Sequence, residues 1–122
     1  MADHNELGKK GEEIALGYLK SNHYKIKDVN WRFRKNEVDI ITEKDNLLTV
    51  IEVKTRTSEY FEHPKEAVTK KKQKFIIQAA DAYIQQNDID LEVQFDIIAV
   101  TIINGKTKIE HIKDAFQPSL LL

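Results

Sequence analysis

The sequence predicts an α/β domain: a single mixed sheet of about five strands flanked by helices, in the order αβββαββ. Three observations carry this. Two segments repeat their apolar residues at about 100° per residue, the helical period. Others alternate apolar and polar positions and are rich in β-branched and aromatic residues, as strands are. Turn dipeptides, Asp45-Asn46 and Asn104-Gly105, stand between neighbouring strand segments. The 122 residues, with 19 Lys+Arg, 20 Asp+Glu and 41% hydrophobic content, suit one domain spanning 1–122.

Between Glu6 and Lys20, Leu7, Ile14, Ala15, Tyr18 and Leu19 share one helical face, with Asn5 as the expected cap. Gly8, Gly11 and Gly17 lie inside this helix, each costing about 1 kcal/mol relative to Ala. Close approach of a backbone or ligand would explain them. Strands are expected over Lys25–Phe33, Glu37–Thr42 and Leu47–Thr55. A second helix runs from Lys70 to Gln86, capped by Thr69 and burying Phe75, Ile76, Ala79, Ala80, Tyr83 and Ile84. Val93–Ile103 and Lys106–Ile112 close the chain as a hairpin around Asn104-Gly105.

Composition excludes several classes of chemistry. The chain has no cysteine, so thiolate metal sites, a Cys nucleophile and a disulfide framework all drop out. His4, His23, His63 and His111 fit no metal-ligand spacing and read as surface or core residues. No phosphate-binding glycine loop is present. Neither the charged N-terminal region nor the apolar stretch Ile97–Ile103 has the length of a signal peptide or membrane span, so a cytoplasmic protein without a membrane partner is expected. Net charge is -1, yet Lys65–Lys74 carries five lysines against Glu66 alone, while Asp81–Glu92 carries no basic residue. That polarity fits a polyanion-facing surface, and it also fits an ordinary solvated helix face.

Chemistry enters through the register of one hairpin. If Asp45 and Asn46 are its two turn residues, Lys44 faces Leu47 and, counting back, Asp39 faces Glu52. Cross-strand partners point to one face with Cβ atoms about 5 Å apart, so two carboxylates meet and repel. A divalent cation is the simplest compensation, since Mg²⁺ is commonly held by one or two carboxylates plus phosphates and water. Lys54, two residues after Glu52, shares that face, while Ile51 and Val53 turn into the core. The bland account of the same residues is a surface Asp/Glu/Lys triplet. Glu12 lies at the edge of the first helix's apolar stripe, positioned to overhang the sheet beside Gly8. Lys72, in the first turn of the second helix, either snorkels to solvent or aims at the acidic cluster.

Glu12, then Asn36-Glu37-Val38-Asp39-Ile40-Ile41, then Ile51-Glu52-Val53-Lys54-Thr55-Arg56 resemble the uncharacterised bacterial family called YraN-like or UPF0102, a branch of the PD-(D/E)XK nuclease superfamily. Gly8-x-x-Gly11-Glu12, Asn30-x-Arg32, Thr69-x-x-Lys72, Phe95-Asp96, His111-Ile112 and Ala115-Phe116 extend the likeness over most of the chain. The spacing of early Glu, Asp, Glu and Lys is also similar to archaeal Holliday-junction resolvases. Asn36 and Gln94 depart from the family, which usually has Gly and Arg there. Gln94 puts any phosphate contact from its position in doubt.

The resemblance implies a restriction-endonuclease-like fold and metal-dependent hydrolysis of DNA phosphodiester bonds, with branched or structured DNA as one option. It assigns Mg²⁺, with Mn²⁺ as substitute, to Asp39, Glu52 and the carbonyl of Val53, with Glu12 as a direct or water-mediated ligand. Lys54 would position the attacking water. Thr55 and Arg56 would meet the phosphate backbone, and Lys70, Lys71, Lys72 and Lys74 would extend that surface. Trp31 and Tyr60-Phe61 are candidates for base stacking or for simple packing. A non-catalytic nucleic-acid- or protein-binding module on the same fold is the alternative, and a homodimer stays open.

Overall fold

The structure is a computed structural model that describes residues 4–57 and 68–118. Its elements are α1 (His4–Ser21), β1 (Lys25–Phe33), β2 (Asn36–Lys44), β3 (Leu47–Arg56), α2 (Lys70–Gln86), β4 (Glu92–Ile103) and β5 (Lys106–Phe116). This is the expected order αβββαββ. The strands form one five-stranded sheet in spatial order β1-β2-β3-β4-β5. All neighbours are antiparallel except β3 and β4, which run parallel. A parallel pair needs a crossover, and the segment containing α2 supplies it.

The helices cover opposite faces of the sheet and define two cores. Ala15 and Leu19 of α1 pack with Ile40, Ile51, Ile98 and Val100. Ile76, Ala79, Ala80 and Tyr83 of α2 pack with Leu48, Val50, Phe95 and Ile97. β3 and β4 lie between these layers and are buried on both faces, which explains their nearly continuous apolar runs. No described helix is long and apolar enough to cross a membrane.

Local chemistry accounts for the boundaries. Asp45 (φ 52°) and Asn46 (φ 64°) both take the left-handed conformation, as do Asn104 (φ 51°) and Gly105 (φ 74°), so both two-residue hairpins form where expected. Thr69 caps α2 by accepting from the Lys72 amide at 3.1 Å. Three expectations fail. α1 has already begun at His4, so Asn5 is not its cap. β5 runs to Phe116 rather than stopping at Ile112, passing through an irregularity at Asp114 (φ 53°). Of the helical glycines only Gly11 has a steric reason. A Cβ there would lie 1.8 Å from Thr55 Oγ1, whereas at Gly8 and Gly17 it would meet nothing within 4 Å.

Candidate active site

The β2–β3 ladder follows the expected register, with Lys44 opposite Leu47, Thr42 opposite Thr49 and Ile40 opposite Ile51. Its next pair would be Asp39 with Glu52, and there the ladder stops. Instead of a backbone partner, the Val53 amide finds the side chain of Asp39, donating to Oδ2 at 2.8 Å. The strand's alternation slips at the same place. Val38 and Ile41 both join the core beneath α2, while Ile40 joins the one beneath α1. On the neighbouring strand, Asn30 stands between the residues paired with Ile40 and Val38 and takes φ 53°. Irregularities of this kind re-aim side chains beside functional sites.

Glu52 is only 6% exposed, and its Oε2 has no hydrogen-bond partner among the described residues. Burial, then the neighbouring Asp39 charge and a hydrogen bond with Asp39, push its carboxyl up from 4.5 to about 9, against the pull of Lys72 and Lys54. At neutral pH the unliganded pair therefore carries a proton. The expected repulsion between Asp39 and Glu52 is thus relieved by the proton that Glu52 keeps. Glu12 reaches into the same field. Its carboxyl is held above the ordinary value first by burial, then by Asp39 and less by Glu37, while a hydrogen bond with Asn30 lowers it.

An unpartnered buried carboxylate oxygen beside a second carboxylate is a hard-oxygen donor set of the kind Mg²⁺ takes. Among the described residues, no three His, Asp or Glu side chains gather closely enough to cage an ion without help. The protein therefore offers a two-carboxylate site, with Glu12 in its surroundings. Val53 contributes an amide to that site by fixing Asp39.

The cations divide by role. Lys54 and Lys72 both lower the Glu52 carboxyl electrostatically, and Lys72 is half-buried. Its Nζ lies 5.3 Å from the Phe75 ring centroid. Lys70, Lys71 and Lys74 are exposed on the same first turns of α2. Thr55 faces Gly11 of α1 instead of opening toward solvent. Arg56 donates through Nε to Thr101 Oγ1 at 3.0 Å and is half-buried. Trp31 is half-buried, edge-on to Tyr83 at 5.1 Å and stacked with Phe33 at 6.1 Å, so it is a packing residue. Tyr60 and Phe61 lie outside the described residues.

Sequence reasoning gave no role to Asn30 or to the late Phe95-Asp96 and His111 motifs. Asp96 is fully buried beside β5. Its Oδ1 accepts from the Asp114 amide at 3.0 Å and from Gln94 Nε2 at 3.0 Å, and its Oδ2 meets His111 Nε2 at 2.7 Å. Tyr18 Oη lies 2.8 Å from His111 Nδ1 and so ties α1 to the same pin. Gln94 thus serves the interior of this chain. Of the two placements open to it, surface or core, His111 takes the core, with both ring nitrogens partnered.

A model of the family described as "Uncharacterised protein family UPF0102" matches residues 11–100. The chain is 49% identical over 120 residues to a UPF0102 protein of Bacteroides thetaiotaomicron, covering 98% of this chain and 99% of the relative. It is 47% identical over 116 residues to one of Christiangramia forsetii, covering 95% and 98%. It is 44% identical over 123 residues to one of Porphyromonas gingivalis, covering 99% and 90%.

Proposed function

This chain belongs to the uncharacterised protein family UPF0102, and from that premise we propose that it is a metal-dependent endonuclease that hydrolyses DNA phosphodiester bonds, branched or structured DNA being one option. The observation that carries the reading is the buried, unpartnered Glu52 Oε2 beside Asp39, with Lys54 and Lys72 acting on the same carboxylate. A buried acid set beside a half-buried one is unfavourable for stability alone. Binding a cation gives them a use.

Asp39 and Glu52 would hold Mg²⁺, joined by the carbonyl of Val53, with Glu12 bound directly or through water. Such an ion polarises a phosphoryl oxygen and makes a bound water more acidic. The residues of the chain supply the rest. The Val53 amide keeps the Asp39 carboxylate turned toward Glu52. Asn30 restrains Glu12 at the rim. Lys54 positions the attacking water, which gives up a proton to solvent as its oxygen bonds to phosphorus, while the ester P–O bond breaks and the leaving oxygen takes a proton from solvent; the lysine charge offsets the negative charge on the phosphoryl oxygens. Lys72 adds a second positive charge on the same carboxylate. Lys70, Lys71 and Lys74 face the polyanion. Arg56 and Thr55, tied to Thr101 and set against Gly11, act in the scaffold beneath the site.

Incubation of linear, flapped and four-way DNA with Mg²⁺ or Mn²⁺ tests this, comparing wild type with Asp39→Ala. Cleavage by wild type alone is the expected result. Tight DNA binding without cleavage under any metal would replace the enzyme with a binding module on a nuclease-like fold.

A further inference from the structure

The cations at the tip of the β1–β2 hairpin are not used by the site as described. Arg34 and Lys35 are exposed there, at the turn where Arg34 takes φ 57°. Arg32, just before them, is paired across the hairpin with Glu37 at 3.3 Å. Among the described residues neither Arg34 nor Lys35 has an ion-pair partner.

What makes this tip more than a charged loop is its fastening to α2. Arg34 Cζ lies 4.9 Å from the Phe33 ring centroid. Phe33 lies 5.9 Å from Phe75 of α2, and Lys72 Nζ lies 5.3 Å from that same Phe75 ring. Behind them, Trp31 stacks on Phe33 and sets its edge against Tyr83. Aromatic contacts therefore hold the hairpin tip against the lysine-bearing turns of α2. The five residues 31–35 and the five residues 70–74 contain no acid. Asp39 stands three residues beyond Asn36 on β2, and Lys72, which shares the Phe75 ring with this rim, also acts on Glu52.

We infer that Arg34 and Lys35 form a second nucleic-acid backbone anchor, which Phe33 and Phe75 join to Lys70, Lys71 and Lys74 into one phosphate-binding rim beside the carboxylates. The partner is the sugar-phosphate backbone, recognised by charge and not by base edges, so the rim adds affinity without sequence preference. Holding the guanidinium on a packed ring limits the side-chain freedom lost when a phosphate arrives. The inference rests on the nuclease reading, since it places the rim on the substrate's path to Asp39 and Glu52.

The test measures binding without cleavage: the full chain carrying Asp39→Asn, in EDTA, titrated with a labelled four-way DNA at several salt concentrations. Adding Arg34→Gln and Lys35→Gln should weaken binding and reduce the slope of log K against log salt by about 0.9 for each lost contact, about 1.8 together. Neutralising Lys106 and Lys113 on the distant edge strand β5 should leave the slope unchanged. An unchanged slope in the hairpin variant, while the parent still binds, overturns the rim and leaves the nuclease reading standing. An equal fall in the β5 variant also overturns it, because the response would then be to net charge. A parent that binds no DNA at any salt overturns the nuclease reading itself. Near-wild-type thermal melting of the hairpin variant confirms that these exposed substitutions act on binding and not on folding.

Discussion

The amide of Val53 donates to the Asp39 carboxylate at 2.8 Å where the β2–β3 ladder would otherwise pair Asp39 with Glu52. One backbone hydrogen bond is exchanged for a fixed carboxylate, and Glu52, next along β3, keeps a buried oxygen without a partner.

The pH dependence of stability follows from Glu52. Its carboxyl stands near 4.5 when unfolded and about 9 when folded, so between these values the native state binds more protons than the unfolded state. Stability of the metal-free protein should therefore fall as pH rises from about 5 to 9, by at most about 1.4 kcal/mol per pH unit for one proton. In Glu52→Gln this component vanishes, making the variant the more stable protein at pH 8.5. Urea melts of both proteins at several pH values measure it. A wild type equally stable at pH 5.5 and 8.5, with Glu52→Gln indistinguishable from it, would contradict the assignment.

Cation uptake should expel that proton. Mg²⁺ or Mn²⁺ binding requires the ionised carboxylate, so calorimetric titration near pH 7.5 should release about one proton per ion, read from the change in apparent heat between buffers of different ionisation enthalpy. Asp39→Asn should bind no ion and release no proton. Failure of wild type to take up either ion, even with DNA present, removes the site.

Lys54→Ala leaves both carboxylates in place. It should retain cation affinity within a few fold yet lose about 10²–10³-fold in turnover, as removal of a single transition-state contact does. Parallel calorimetry and single-turnover cleavage separate these effects. Equal losses of binding and rate would make Lys54 a structural counter-charge.

The glycines of α1 should respond in opposite directions. Gly11→Ala forces a methyl group onto Thr55 and should lose about 1–3 kcal/mol by overpacking, despite a helix-propensity gain of about 1 kcal/mol. Gly8→Ala and Gly17→Ala enter open space and should gain up to about 1 kcal/mol. Denaturant unfolding of the three variants decides it, and a stabilised Gly11→Ala would refute the close approach.

What could be read in the chain was local. Two left-handed residues at Asp45 and Asn46 set the hairpin register, which holds as far as Ile40 and Ile51 and leaves Asp39 and Glu52 next in line. Thr69, three residues before the Lys72 amide it caps, was legible for the same reason. What escaped depends on partners remote in sequence. β5 continues through Asp114 because the Asp96 carboxylate, eighteen residues earlier, satisfies its amide. Trp31 alternates like an exposed strand residue but meets Tyr83 of α2. The contacts of Thr55 with Gly11 and of Arg56 with Thr101 likewise join residues far apart in the chain. The halt of the ladder at Asp39 coincides with a break in alternation at Ile40-Ile41, but adjacent apolar residues also suit a strand buried on both faces, so the break alone did not locate it.

The single parallel pairing in the sheet has a consequence for the order in which the molecule assembles. β1, β2 and β3 join through short turns, as do β4 and β5, but β3 meets β4 only after the chain from residue 57 to residue 91 has looped back. Hairpins close in microseconds, whereas this long closure carries a larger entropic cost and dominates the barrier. Asp39 and Glu52 are thus brought together by a fast step within one half of the chain, while Lys72 arrives with the slow one. When β4 then docks beside β3, Glu52 is buried next to Asp39 and must carry a proton. Refolding of the metal-free protein should accordingly slow between pH 5 and pH 8.5 in stopped-flow mixing, and Glu52→Gln should fold at a rate that ignores pH across the same range.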